Sequence, residues 1–148
     1  MVNKFYPVEE KFMVGSGGYV LPRRATKGSA AYDFYSTESA VLHPGEKHMF
    51  YTNVKASMKP DVVLVLAVRS SMGVKSDIVI ANTIGVIDFD YFSNESNDGN
   101  IIICLKNMGD KPYVVNPGDR IGQGMFLKFE TTEDDDTTAI RTGGVGST

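Results

Sequence analysis

Tryptophan is absent from this 148-residue chain, cysteine occurs once and histidine twice. Each shortage removes a class of explanation. The lone cysteine, Cys104 in "NIIICLKN", has no partner for an intrachain disulfide and reads as a packed core thiol. His43 falls in a turn and His48 in a strand-like segment, and without a Cys or Glu cluster around them they do not suggest a metal centre. No apolar run nears the roughly 20 residues of a membrane span. The opening "MVNKFYPVEEKFMV" lacks the apolar core and cleavage pattern of a signal peptide, so the expected location is the cytoplasm. A net charge of -3 and a pI near 5.3 lack the basic footprint of a general nucleic-acid or membrane-surface binder. A local basic pocket is still allowed.

What is present points to strands. The chain is 42% hydrophobic and 22% charged, ordinary for one globular domain with a self-sufficient core. "DVVLVLAV" (61–68) reads as a strand buried on both faces, with shorter runs at "IVIAN" (78–82), "IGVID" (84–88) and "NIIICLKN" (100–107). From 121 to 129 the odd positions Ile121, Gln123, Met125, Leu127 and Phe129 form an alternating face with one polar interruption. Turn signals separate these runs: "HPGE", "MKPD", "NDGN", "MGDKP" and "NPGD". No segment keeps helical periodicity over three turns, although "SSMGVK" suits one short helical turn. The expected fold is all-β, an antiparallel sandwich or jelly roll over residues 1–130. Residues 131–148, "TTEDDDTTAIRTGGVGST", read as a mobile acidic linker and glycine-rich tail.

Four stretches could carry chemistry. In "NTIGVIDFDYFSN" (82–94), Asp88 and Asp90 close an apolar run, where they could cap a turn, bind a metal or activate a water. "VRSSMGVK" (68–75) offers Arg69, the Ser70 and Ser71 hydroxyls, Gly73 and Lys75, groups suited either to an oxyanion or to an ordinary helix cap. In "PGDRIGQGMF" (117–126), Asp119 and Arg120 read as an ordinary ion pair. Gln123 there must find buried partners, in a neighbouring strand or in a ligand. "RTGGVGST" (141–148) combines a cation, glycines and hydroxyls in the manner of phosphate-wrapping loops.

Taken in order, "LPRRATKGSAAYDFYS" (21–36), "VRSSMGVK", "NTIGVIDFDY", "GDRIGQGMF" and "GGVGST" resemble the five motifs of the homotrimeric dUTPases, across about Leu21 to Thr148. The resemblance implies a jelly-roll trimer that hydrolyses dUTP to dUMP and pyrophosphate with Mg²⁺, at sites shared between chains. It makes Asp88 the water-orienting general base, for which position matters more than basicity. It places Tyr91 under the deoxyribose, with a chain bend around Asp90–Phe92. Asn82 and the hairpin backbone at Val86 and Ile87 would read the uracil edge, with Ile102 on its far side. Arg69, Ser70, Ser71, Gly73 and Gln123 would hold the triphosphate or steady the subunit interface. Asp33 would stand near the metal's water shell, and Mg²⁺ would be held mainly by phosphate oxygens and water. Arg141, Val145, Gly146 and Ser147 would belong to a closing lid, disordered until nucleotide binds.

The chain departs from that pattern at Ala31, at the longer polar segment "YFSNESNDGN", and at Val145, where an aromatic is common. Arg141 is also one residue closer to the glycines. The rival enzyme is a dCTP deaminase, which would need a glutamate base. A regulatory binding role for the lengthened 92–100 segment would be additional to catalysis. A lectin or capsid jelly roll would leave Asp88, Asn82 and the tail without a purpose.

Overall fold

A computed structural model describes residues 1–16 and 18–146. Twelve strands follow in chain order: β1 (Lys4–Pro7), β2 (Arg23–Arg24), β3 (Tyr32–Tyr35), β4 (Ala40–Leu42), β5 (Lys47–Tyr51), β6 (Val54–Ser57), β7 (Val62–Ala67), β8 (Ile78–Ile80), β9 (Gly85–Ile87), β10 (Ile102–Asn107), β11 (Tyr113–Val115) and β12 (Arg120–Lys128). One α-helix, α1 (Ser70–Ser76), interrupts them after β7, where the sequence suggested a helical turn. A five-stranded antiparallel sheet runs β2-β3-β12-β7-β9 and a three-stranded one β5-β10-β8, with β1-β6 and β4-β11 as two-stranded ribbons. The expected all-β jelly-roll class is what forms.

The core lies between the two larger sheets. Phe34, Phe50, Leu64, Leu66, Ile103, Leu105 and Ile121 are all buried. Two strand readings need correcting. β7 is not buried on both faces: Val62, Leu64 and Leu66 are buried while Val63, Val65 and Ala67 are only partly covered. β10 alternates likewise, which leaves Cys104 half-exposed rather than in the core. The reason is position. In this protomer only one face of each sheet packs on the core.

β12 differs more. A bulge between Arg120 and Gly122 shifts its register, so Ile121 is buried but the later odd positions are not. The core-facing residues beyond the bulge are Gly122, Gly124 and, partly covered, Phe126. A Cβ on Gly124 would stand 2.9 Å from both Leu66 and Phe34, so those large side chains require glycine opposite them.

Buried polar groups tie loops to this frame, and among the described residues none of their side-chain atoms lacks a partner. Asn107 gives its amide to the carbonyls of Leu42 (2.8 Å) and Lys111 (2.7 Å). The Lys55 ammonium on β6 meets both oxygens of Asp98 at 2.8 Å and the Ser93 hydroxyl at 3.0 Å.

Candidate functional site

The hairpin expected between β8 and β9 does not form, because β8 pairs with β10 in one sheet and β9 with β7 in the other, so the chain crosses between sheets at this point. β8, β9, β10 and the tail enclose a cavity of about 580 Å³. Its floor is apolar, from Leu66, Ile80, Ile103 and Tyr91, and its rim carries Asn82, Asp88 and Arg141. The β8–β9 connection turns through Thr83, at φ 72°, with Thr83 N–H donating to the Ile80 carbonyl and Ile84 N–H to the Asn82 carbonyl. That turn leaves Asn82 exposed at the cavity mouth.

The two aspartates do not share a strand face. β9 stops at Ile87, Asp88 precedes a 3₁₀ turn over Phe89–Tyr91, and Asp90 lies within it. The bend therefore comes at Asp88–Tyr91, earlier than the Asp90–Phe92 bend that the resemblance implied. One short turn brings the half-exposed Asp88 carboxylate and the buried Tyr91 ring to the same cavity. The Tyr91 hydroxyl donates to the Asn100 carbonyl (2.7 Å) and accepts from Asn97 Nδ2 (2.8 Å). Burial pushes its pKa up, against a smaller downward pull from the Asn97 hydrogen bond.

Arg141 closes the rim. Its Nη2 donates to Asp88 (2.7 Å) and its Nε to Asp90 (2.8 Å), while the guanidinium stands 5.9 Å from the Tyr91 ring centre. The hydrogen bond to Asp90 is the main reason its pKa is raised. Asp90, read from sequence as shaping the bend, is thus also an anchor for the tail. Where the sequence reads as a detached tail, residues 141–146 lie against the cavity, while residues 131–140 are exposed throughout. Val145 and Gly146 line the opening, with Val145 68% exposed. Val86, Ile87 and Ile102 line it as well. Ser147 lies outside the described residues.

A second group assembles at the end of β7, and none of its members lines this cavity. Asp33, 5% exposed, receives Arg69 Nε at 3.1 Å and approaches Arg120 Nη1 at 3.5 Å. Arg120 therefore does not pair with Asp119, whose carboxylate instead accepts the Asn116 N–H (2.8 Å). Cross-strand register allows the choice, because Arg120 pairs with Tyr35 on β3, two residues from Asp33 and on the same strand face. Held between two guanidinium groups, Asp33 is a fixed counter-charge rather than an open ligand for a metal's water. Gln123 donates to the Val68 carbonyl (3.1 Å), knitting β12 to the end of β7. Ser70 and Ser71 are exposed at the start of α1, where Arg69 occupies the cap position without a side-chain bond. The simple N-cap reading of these serines does not hold. Gly73 sits inside α1 with ordinary clearance, not in a flexible loop.

Sequence reasoning missed Asn97, Met49 and Cys104, the first bonded to Tyr91 and the others on the cavity wall. The density of asparagine in "SNESNDGN" was the available signal for the first. Among the described residues no three His, Cys, Asp or Glu side chains converge on a common point. No helix is long and apolar enough to cross a membrane.

Comparison with known proteins agrees with this geometry. The family described as dUTPase matches residues 19–148. A deoxyuridine 5'-triphosphate nucleotidohydrolase from Lactococcus lactis is 37% identical over 135 residues, 90% of each chain, and one from Shewanella woodyi is 33% identical over 95% of each. The crystal structure of a dUTPase from Streptococcus mutans superposes with a TM-score of 0.76 at 34% identity, covering 87% of this chain and 98% of the other. The dUTPase of phage phi11 of S. aureus, described for its species-specific insert, shares the fold (TM-score 0.73, 24% identity, 95% and 98% covered).

Proposed function

The chain belongs to the dUTPase family, and from that premise we propose that it hydrolyses dUTP to dUMP and pyrophosphate, with the nucleoside in the cavity beside Asp88. The observation that carries this is the 3₁₀ turn, which sets a carboxylate and a buried tyrosine ring at one opening. About 580 Å³ with an apolar floor and a polar rim is within the range of small-molecule sites.

Asp88 accepts a proton from a water as its oxygen attacks the α-phosphorus. The bond from that phosphorus to the oxygen bridging to the β-phosphorus breaks, and pyrophosphate leaves. Tyr91, clamped by Asn97 and Asn100, offers a rigid ring to the sugar and leaves no room for a 2′-hydroxyl. Asn82 and β9 backbone groups pair with the uracil edge, so cytosine's amine presents a donor where an acceptor is wanted. Such sites discriminate by roughly 10⁴-fold or more, because mismatched ligands leave buried polar groups unpaired. Arg141 leaves its carboxylates for the phosphates as substrate enters.

No glutamate lines the cavity among the described residues, which disfavours the deaminase chemistry. Mg²⁺ would be carried mainly by phosphate oxygens and water, beside the Asp88 carboxylate once Arg141 has left it. When bound, the ion withdraws charge from the leaving pyrophosphate.

Arg69, Ser70, Ser71 and Gln123 lie outside this protomer's cavity, and we assign them to a neighbour's triphosphate in a homotrimer. Sedimentation equilibrium returning a stable, active monomer would refute that assembly. The unpaired Cys104 suits a reducing, cytoplasmic compartment. The primary test is pyrophosphate release from dUTP, dCTP, dTTP and UTP side by side. Release from dUTP alone is expected, and equal release from dCTP or UTP would overturn the pocket assignment.

A further inference from the structure

The polar segment after Tyr91 enters the chemistry above only through the Asn97 and Asn100 clamp on Tyr91, yet it is held throughout by hydrogen bonds. Lys55 and Asp98 pin its far end from the core, and Asp98 also accepts the Glu9 N–H at 2.8 Å. Inside it, Asn94 Oδ1 accepts the Ser96 and Asn97 N–H groups (3.0 and 3.2 Å), and its Nδ2 donates to Asn97 Oδ1 (2.8 Å). These bonds leave Asn97 Nδ2 directed at the Tyr91 hydroxyl (2.8 Å).

Among the described residues the tail meets this segment at Gly144. Gly144 is buried, and a Cβ there would stand 2.6 Å from Ser96 Oγ and 3.1 Å from Asn97 Nδ2. A methyl group there would force Ser96 Oγ or the tail to move. One side chain, Asn97, therefore touches both the ring that lines the cavity and the glycine of the tail that covers it.

We propose that residues 93–99 are the receiving surface for the C-terminal tail, and that Asn97 is a positioning residue linking tail docking to the Tyr91 ring. This rests on the dUTPase reading of the cavity and adds to it a task for the lengthened segment. Rigidity is what suits the segment to the task, since a preorganised partner lowers the cost of ordering a mobile chain. The same surface serves whether the tail comes from its own protomer or from a neighbour.

Trypsin gives a readout that does not depend on nucleotide. No lysine or arginine lies between Lys128 and Arg141, so release of the 142–148 peptide, followed by mass spectrometry, reports exposure of the docked tail. In ligand-free full-length protein, Gly144→Ala should speed that release, and with dUTP it should raise KM, each by about tenfold, the effect of one contact worth about 1.4 kcal/mol. Adding Ser96→Gly to Gly144→Ala removes the clashing oxygen and should restore both values most of the way. Asn97→Ala should keep its thermal midpoint within a few degrees yet raise KM and speed release like Gly144→Ala. The proposal is overturned if Gly144→Ala leaves release unchanged, if Ser96→Gly gives no rescue, or if Asn97→Ala is wild-type in KM. A wild-type protein that fails to hydrolyse dUTP while keeping the rescue pattern in proteolysis would instead sink the functional reading and leave the docking surface standing.

Discussion

Asp98→Asn should be one of the most damaging single-atom changes available in this protein. Lys55 and Asp98 are 9% and 4% exposed, and the ammonium sits 2.8 Å from both carboxylate oxygens. The asparagine keeps one oxygen for the Glu9 N–H, and it tolerates the left-handed backbone at this position (φ 58°). What it loses is the counter-charge. Removing one partner of a buried pair costs about 3–5 kcal/mol, because the other charge stays in a low-dielectric setting. The retained oxygen, 2.8 Å from the ammonium, the Ser93 hydroxyl (3.0 Å) and the Phe92 ring (4.9 Å) remain to offset it, and none of them is charged. For a chain of this size each kcal/mol moves Tm by about 2–4 °C, so the midpoint should fall by roughly 6–20 °C. Calorimetry at pH 7 and one fixed protein concentration measures this. The double variant Lys55→Met/Asp98→Asn strands no charge and should recover much of the loss. A shift of less than about 2 °C for the single variant would mean the pair contributes under 1 kcal/mol, refuting the reasoning. So would a double variant no better than the single.

Asp88→Asn should lower turnover by about 10²–10⁴-fold, the usual span for a lost general base, while a non-hydrolysable dUTP analogue still binds in calorimetric titration; near-normal turnover would remove Asp88 from its role. Val145→Phe gives the exposed rim residue an aromatic face, whose stacking on the base is worth about 0.5–1.5 kcal/mol, so kcat/KM for dUTP should hold or improve. A fall would mean that the tail closes in another register. Burial raises the pKa of both Tyr91 and Tyr113. The folded protein therefore holds those phenol protons more tightly than the unfolded chain. Their stabilising effect is intact below about pH 10 and is lost as pH climbs through the raised values. Urea midpoints that stay level above pH 10 would contradict this.

The strand order of the chain was legible because period-two burial and turn residues are local signals, and both survive in β7, β8 and β10. Asp88, Tyr91, Asn82 and Ile102 were reached another way, through the resemblance to the dUTPase motifs, and the fold brings all four to one cavity. The failures are long-range. The bulge in β12 sends Gly122 and Gly124 inward only because Phe34 and Leu66 fill the facing space, which no window of β12 reveals. Arg120 turns from its neighbour Asp119 to Asp33 through sheet register. The 3₁₀ turn at Phe89–Tyr91 is three residues long, too short to leave a period. The work done by Asn97 was hidden because polar loop composition looks the same whether or not the loop is held.

The exposed stretch 131–140 makes the tail a ligand on a tether. Twelve residues separate Lys128 from Arg141, and fully extended they span about 40 Å. A short flexible tether holds its cargo at an effective concentration of order millimolar around the site. A lid with only millimolar intrinsic affinity would then be closed about half the time, and each added tenfold of affinity would slow its reopening. Weak docking through one glycine and one arginine is thus suited to a site that must open on every turnover to release pyrophosphate. Catalysis should tolerate changes to the linker's acidic composition better than changes to its length. The severed peptide supplied in solution should need millimolar amounts to act.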